Sequence, residues 1–249
     1  MTTYFISDLH LQASHPELSN GFYRFIEETI TDATSLYILG DFFDAWIGDD
    51  EDDIFYLSVI NKLKSYTDNG LKIYFMHGNR DFLIGKAFAE KTGVTLLNDP
   101  TDIQIAGKKI RLMHGDSLCT TDIDYMQFRT QVRNPQWQQH ILSLPLEQRR
   151  VMAAQLRTQS QSMNSNKAED IMDVNPTDVT AQFEENGAQS TKNDTQSDID
   201  ILLHGHTHRP ACHPVKSSNK ERIVLGDWGE SMYYARADQT TVTLLKHTI

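Results

Sequence analysis

Five short segments carry side chains able to hold metal ions, and each follows an apolar run. Asp8-Leu9-His10 follows Tyr4-Phe5-Ile6, and Gly40-Asp41-Phe42-Phe43-Asp44 follows Leu36-Tyr37-Ile38-Leu39. His77-Gly78-Asn79-Arg80-Asp81 follows Ile73-Tyr74-Phe75-Met76, and His114-Gly115-Asp116 follows Ile110-Arg111-Leu112-Met113. Ile201-Leu202-Leu203 delivers His204-Gly205-His206-Thr207-His208. Carboxylate, imidazole and amide donors suit Mn²⁺, Fe or Zn²⁺ and not a soft ion that seeks thiolates. Two ions about 3.5–4 Å apart need a bridging ligand, and only a carboxylate has two oxygens to share. Asp41 is the expected bridge. His15, His140, His213 and His247 stand outside such motifs and read as ordinary histidines.

The elements that must position these residues can be read from the runs themselves. Four or so apolar residues broken by Gly-Asp or Ser-Asp read as buried strands of a parallel sheet, with the ligands at their C-terminal ends, where open α/β sheets build sites. Between the first two strands the apolar period of Phe22, Phe25, Ile26 and Ile30 predicts a helix over about Gly21 to Thr31. Ile54, Phe55, Leu57, Ile60 and Leu63 predict another, with Gly70 ending it. The five acids Asp49 to Asp53 read as its solvated N-terminus, favoured by the helix dipole, because consecutive acids do not reproduce a calcium loop's spacing. A helix from about Leu83 to Lys91 should stop at Gly93, before a strand over Val94 to Leu97. A hairpin turns on Ala106-Gly107, and a second antiparallel pair spans about Ser231 to Ala235 and Thr240 to Leu245. The expected fold class is α/β, two packed sheets with helices outside.

The chain divides into a core over 1–121 and 199–249, a helical insertion over 122–185, and a polar stretch over 186–198 that reads as a mobile surface loop. Pro135 and Pro145 break the insertion into short helices. Placed between two ligand-bearing strands, it is expected to cap the site. From Tyr125 to Lys167 it carries Arg129, Arg133, Arg149, Arg150, Arg157 and Lys167 against Glu147 alone, inside a chain of net charge -11. That overall balance argues against a general nucleic-acid binder. Two cysteines, in neither a C-x-x-C pair nor a disulfide framework, favour a reducing compartment. With no signal-type N-terminus and no apolar run of spanning length, a soluble, cytoplasmic protein is expected.

Asp8-x-His10, Gly40-Asp41-x-x-Asp44, Gly78-Asn79-Arg80-Asp81, His114-Gly115-Asp116 and His204-Gly205-His206 resemble, in order, the five blocks of the calcineurin-like metallophosphoesterase superfamily. The resemblance implies a two-sheet sandwich flanked by helices and a dinuclear centre. One metal would take Asp8, His10, Asp41 and His206, the other Asp41, Asn79, His114 and His204. Where that superfamily commonly has Gly-Asn-His, this chain has Arg80. A guanidinium is a fixed cation that grips phosphate and cannot act as a general acid, which suits a pyrophosphate with a good leaving group.

More finely, Tyr4 to Leu11, Gly40 to Asp50, His77 to Leu83, His114 to Thr120, Ser160-x-x-x-Asn164-x-x-Lys167 and His204 to Pro210 are similar to the UDP-2,3-diacylglucosamine diphosphatases of lipid A biosynthesis. The 186–198 stretch is longer than that pattern. The resemblance implies Mn²⁺-dependent hydrolysis to UMP and 2,3-diacylglucosamine 1-phosphate (lipid X), on the cytoplasmic face of the inner membrane as a peripheral protein. It implies Asp41, Asn79, Arg80 and His204 as catalytic and Asn79, Arg80, Asp122, Ser160, Asn164, Lys167 and His204 as substrate-contacting. Asp81 and Asp116 are expected behind them, orienting Arg80 and a ligand imidazole. The apolar faces around Tyr125, Phe128, Trp137 and Ile141 are expected to take acyl chains, with the surrounding Arg residues facing anionic headgroups. A soluble nucleotide pyrophosphate is the alternative substrate. A non-catalytic scaffold is disfavoured by seven filled ligand positions, and no obligate protein partner is evident.

Overall fold

The computed structural model describes residues 2–164, 171, 173–184, 199–215 and 218–248, excepting the side chains of 161–164. β1 (Thr2–Ile6), β2 (Ala33–Leu39) and β3 (Lys72–Met76) run parallel, linked by α1 (Pro16–Arg24), which continues as a π-helical turn over Phe25–Thr29, and by α2 (Ile54–Asp68). After β3 come α3 (Lys86–Thr92), β4 (Thr95–Leu97) and the hairpin β5 (Thr101–Ile105) and β6 (Lys108–Leu112). Next follow, among the described residues, four helices, α4 (Ile123–Val132), α5 (Pro135–Leu142), α6 (Leu146–Asn164) and α7 (Pro176–Glu184). β7 (Ile201–His204), β8 (Ala211–Pro214), β9 (Glu221–Val224), β10 (Ser231–Ala237) and β11 (Val242–Thr248) complete the chain.

The strands form two sheets, ordered β11-β10-β1-β2-β3-β4 and β5-β6-β7-β9-β8. Alternation along each strand assigns side chains to the two faces. Phe5, Tyr37, Leu39 and Met76 pack between the sheets against Ile110, Leu112, Ile201 and Leu203. Tyr4, Ile6, Leu36, Ile38, Ile73 and Phe75, one residue out of phase, pack under α1, α2 and α3. Both faces are therefore buried, which explains the unbroken apolar runs. The second sheet's outer face is covered by α7 through Phe183 and Leu202. The fold is the expected two-sheet α/β sandwich with flanking helices.

The differences in detail have local causes. α1 begins five residues before the expected Gly21, because Pro16 occupies its first turn, where a missing N–H costs nothing. α3 begins at Lys86, not Leu83. Its N-terminus is capped from a distant loop, Asp49 accepting from the backbone N–H of Gly85 and of Phe88, both at 2.9 Å. β8 and β9 were not anticipated, being four-residue strands, the first a mostly exposed edge ending at Pro214.

Candidate active site

Parallel pairing brings the ends of β1, β2 and β3 to one edge, and pairing of β6 with β7 does the same in the second sheet. The loops then bond to one another. Asp8 N–H donates to the Gly40 carbonyl (3.1 Å), His10 N–H to Asp41 (3.0 Å) and Leu11 N–H to Phe42 (2.9 Å). Gly205 N–H donates to His114 (2.9 Å), and Trp228 N–H to Asp8 (3.2 Å). Asp8, His10, Asp41, His206 and His208 all have positive φ, between 51° and 68°. Each such conformation costs a non-glycine residue roughly 1–2 kcal/mol, and its concentration here marks a functional edge. Gly40 turns with φ 89°, and a Cβ on it would collide with the Gly78 backbone and the His114 ring.

The side chains so gathered form two overlapping sets, Asp8 with His10 and His208, and Asp8 with Asp41 and His114. The Asp41 oxygens point to different imidazoles. Oδ1 lies 3.7 Å from His114 Nε2 and Oδ2 3.9 Å from His10 Nδ1. His114 Nδ1 bonds the Leu39 carbonyl (2.8 Å), so its Nε2 faces Asn79 Oδ1 (2.9 Å) and Asp41. A nest of acceptors of this kind needs a proton or a cation. Without a cation, burial alone would lower the His114 pKa, but Asp41, Asp116 and Asp8 raise it to about 9. His204 at the end of β7 bonds the Gly205 carbonyl through Nδ1 (2.9 Å), and burial lowers its pKa to about 4. It is thus a neutral imidazole with Nε2 as lone-pair donor.

Asp8 Oδ1, His10 Nδ1 and His204 Nε2 are buried without a hydrogen-bond partner. Such atoms cost about 1–3 kcal/mol each if left unmet, and all three are hard donors of expected ligands, so the residues fit divalent metal ions. His206 joins neither set. Its N–H donates to Asp8 Oδ2 (2.9 Å), while its ring stands 5.1 Å from the His114 ring and 5.7 Å from Tyr125. Burial and the His114 charge lower its pKa to about 3, so it too is neutral. His208 stands beside His10, their Nε2 atoms 3.2 Å apart and its Nε2 3.5 Å from Asp8 Oδ1. His208 stands in the motif but was not among the expected ligands, and its nearness to Asp8 and His10 is what sequence reasoning missed.

Beside Asp41 a cavity of about 900 Å³ opens, walled by Asp41, Asn79, Arg80, Asp122, Ser160 and His206 together with Ile47, Phe82, Phe128, Trp137, Ile141, Met152 and Leu156. Arg80 N–H donates to Asp41 Oδ1 (2.9 Å), its Nε lies 3.3 Å from Asp41 Oδ2, and its Nη1 lies 2.5 Å from Asp44 Oδ1. Asp122, nearly buried, caps α4 by accepting from Tyr125 N–H (3.1 Å). Ser160 is exposed on α6, Asn164 is that helix's last residue, and Lys167 lies outside the described residues, as does the 186–198 stretch.

Four expectations are corrected. Asp81 does not orient the Arg80 side chain; it accepts from the backbone N–H of Gly78 (2.7 Å) and Phe42 (2.8 Å), tying two ligand loops together. Asp116 holds helix α4, accepting from Tyr125 Oη–H (2.7 Å) and Arg129 Nε–H (2.9 Å). The acids at 49–53 are not only a solvated helix end. Asp53 caps α2, but Asp50 pairs with Arg149, and Glu51 and Asp52 with Arg150. The insertion's arginines accordingly face inward. Arg129, Arg149, Arg150 and Arg157 pair with core carboxylates, and Arg133 donates to the Gly78 carbonyl (2.8 Å), so these five do not face a membrane as expected.

Comparison with known proteins agrees with this geometry. The calcineurin-like phosphoesterase family profile matches residues 1–210. A UDP-2,3-diacylglucosamine hydrolase of Cellvibrio japonicus is 49% identical over 246 residues, covering 98% of each chain. Proteins with the same name from Yersinia enterocolitica (44% over 248 residues, 99% of each chain) and Pseudomonas aeruginosa (47% over 230 residues, 92% of this chain and 91% of the relative) are also similar.

Proposed function

The chain belongs to the calcineurin-like phosphoesterase family, and from that premise we propose that it hydrolyses UDP-2,3-diacylglucosamine to UMP and 2,3-diacylglucosamine 1-phosphate in lipid A biosynthesis. One observation carries the choice of substrate within the family. The cavity beside Asp41 joins the phosphate-handling side chains Asn79 and Arg80 to an apolar wall of Phe82, Phe128, Trp137, Ile141, Met152 and Leu156. A soluble nucleotide has no use for that wall, whereas acyl chains gain about 25 cal/mol for each Å² they bury there.

Two Mn²⁺ are the ions proposed; Asp8, His10, Asp41 and His206 would hold one, and Asp41, Asn79, His114 and His204 the other. When bound they supply Lewis acidity, easing loss of a proton from water and neutralising phosphoryl charge. Water attacks the α-phosphorus of the UMP moiety in line, and the bond from that phosphorus to the bridging oxygen breaks. The sugar 1-phosphate leaves with the electron pair, and the attacking water's proton passes to solvent. Arg80 stabilises charge on the phosphoryl oxygens without proton transfer, and the neutral His204 holds its Nδ1–H on Gly205 so that Nε2 stays a donor of electrons. Asp122, Ser160, Asn164 and Lys167 contact the substrate. In this reading 1–121 and 199–249 are the catalytic core and 122–185 its cap.

The acyl chains place the substrate in a membrane, and the protein meets the cytoplasmic face of the inner membrane peripherally. Ile123, Leu142 and Val151, exposed on α4, α5 and α6, support that contact in place of the inward-facing arginines. No helix among the described residues is long and apolar enough to cross a membrane. The test is UMP release by metal-stripped protein resupplied with Mn²⁺, comparing UDP-2,3-diacylglucosamine in detergent with UDP-N-acetylglucosamine and ADP-ribose. Release from the acylated substrate alone, with lipid X, supports the proposal; equal cleavage of soluble nucleotides refutes the role of the apolar wall.

A further inference from the structure

Asp44 has no place in either ligand set, yet it sits 14% exposed at the cavity with one oxygen engaged twice. Its Oδ1 accepts from Arg80 Nη1 at 2.5 Å and from Arg157 Nη2 at 2.9 Å. Arg80 comes from the loop after β3 and Arg157 from α6 of the insertion, and both line the cavity. Two guanidiniums meeting at one oxygen repel each other. Burial and the Arg80 charge push the Arg157 guanidinium below its ordinary value. An arrangement that brings two cations together against their repulsion, in a cavity wall, is suited to a ligand with two adjacent negative charges.

The backbone around Asp44 is fixed. Its N–H donates to the Leu11 carbonyl (3.1 Å), and Trp46 N–H donates to Arg80 (3.1 Å), which locks the Asp44 loop to the loop bearing Arg80. α6 is fixed in turn by Arg149, two helical turns before Arg157, whose Nη1 donates to the Ile47 carbonyl at 2.6 Å. The loop bearing the carboxylate is thus bonded to both neighbouring loops, and the two guanidiniums converge on it.

We propose that Asp44 is a positioning residue that holds Arg80 and Arg157 side by side as a paired clamp for the two phosphoryl groups of a pyrophosphate diester. Such a diester carries one negative charge on each phosphorus, and each fork offers parallel N–H donors to one of them. Arg80, 3.3 Å from Asp41 Oδ2, serves the phosphorus that is attacked. Arg157 serves the other, which makes the insertion a reader of the second phosphate and separates pyrophosphates from single-phosphorus esters. Asp44 acts through the two arginines and touches no reacting atom.

This inference rests on the proposed pyrophosphatase activity, and the experiment separates the two. The Mn²⁺-loaded full-length protein and its Asp44→Asn, Arg157→Gln, Arg157→Lys and double Asp44→Asn/Arg157→Gln variants are assayed on UDP-2,3-diacylglucosamine and on bis(p-nitrophenyl) phosphate, which has one phosphorus. Melting temperature and bound metal are measured in parallel. The ratio of kcat/KM on the pyrophosphate to that on the diester is expected to fall at least about tenfold in each single variant. The double variant should fall less than the product of the two singles, the signature of residues acting together. Arg157→Lys, charged but without the fork, should recover only part of the ratio. An unchanged ratio, equal losses on both substrates, or strictly multiplicative losses overturns the clamp and leaves Asp44 an ion pair that docks the insertion. If the wild-type protein cleaves ADP-ribose and not the lipid, the substrate reading fails, and the same ratio measured on ADP-ribose decides the role of Asp44. Absence of all pyrophosphate cleavage overturns both.

Discussion

Arg149→Met tests whether the insertion must be docked for lipid turnover. Arg149 is 3% exposed, and its guanidinium joins two parts of the chain. Nε donates to the Leu144 carbonyl (3.0 Å), Nη1 to the Ile47 carbonyl (2.6 Å) and to Asp50 Oδ1 (2.8 Å), and Nη2 pairs with Asp50 Oδ2. Methionine fills the volume of the stem but makes none of these bonds. Asp50 is 63% exposed and regains water, so the ion pair as such contributes at most about 1 kcal/mol. The two carbonyls do not recover as easily. Each left without its donor costs about 1–2 kcal/mol, for a total near 3 kcal/mol or a factor of roughly 150. Because the Ile47 and Asp50 bonds join α6 to the core loop and the Leu144 bond lies within the insertion, the loss falls on the insertion and its docking and not on the sheets. Expected is a fall in kcat/KM for UDP-2,3-diacylglucosamine approaching 100-fold, with bis(p-nitrophenyl) phosphate turnover within about twofold. Asp50→Asn should lose less than about fivefold. Equal damage to both substrates, or an Asp50→Asn loss matching that of Arg149→Met, refutes the reasoning.

Asp41→Ala removes the carboxylate whose oxygens face His114 and His10; turnover should fall by at least about 10³-fold with loss of one or both metals by elemental analysis, and full activity sinks the dinuclear assignment. Asp81→Asn keeps one acceptor for the Gly78 and Phe42 amides and turns an NH₂ toward the other; losing a charge-assisted bond predicts about 2–3 kcal/mol, or a melting temperature roughly 5–10 °C lower, by calorimetry. In metal-free protein the His114 pKa is raised from 6.5 to about 9. Folding then binds a proton that the unfolded chain releases, so this group's contribution is complete below pH 6.5 and is lost as pH rises toward 9. Thermal melts in chelator over that range should therefore show falling stability, and restoring Mn²⁺, which displaces the proton, should flatten the slope; a pH-independent melt without metal contradicts the nest of acceptors around Nε2.

The sheets were legible because their signal is local. Leu36 to Leu39 and Ile201 to Leu203 are buried on both faces, so each strand is a plain apolar run, and the Gly-Asp or His-Gly that ends it sits at the site edge. What was missed depends on partners distant in sequence. The start of α3 is set by Asp49, more than thirty residues earlier, and the roles of Asp50 and Glu51 by Arg149 and Arg150, about a hundred residues later. No periodicity within either segment carries that information. The basic insertion was legible as a charge excess but not in its direction, because a helix does not state what its arginines face. His208 was visible in its motif, and only the turn at φ 55° brings it to Asp8 and His10.

The second acid of each motif explains why ligands and insertion share one edge. In Gly40-Asp41-x-x-Asp44, Gly78-Asn79-Arg80-Asp81 and His114-Gly115-Asp116, the first donor faces the ligand cluster, and the later acid holds structure, Asp44 from the cavity wall and Asp81 and Asp116 from the interior. Asp44 receives Arg80 and Arg157, Asp81 receives two loop amides, and Asp116 receives Tyr125 and Arg129. Asp81 and Asp116 are wholly buried, and an unpaired charge there costs several kcal/mol, so the buried carboxylate at Asp116 is stabilised by the arginines that come to it. The net acidity of the core thus draws the basic insertion onto the side where the ligands lie. A chain lacking the insertion's arginines would leave Asp116 with His114 as its main partner and without Arg129 and Arg133, so the core's own stability, and not substrate binding alone, couples the insertion to the site.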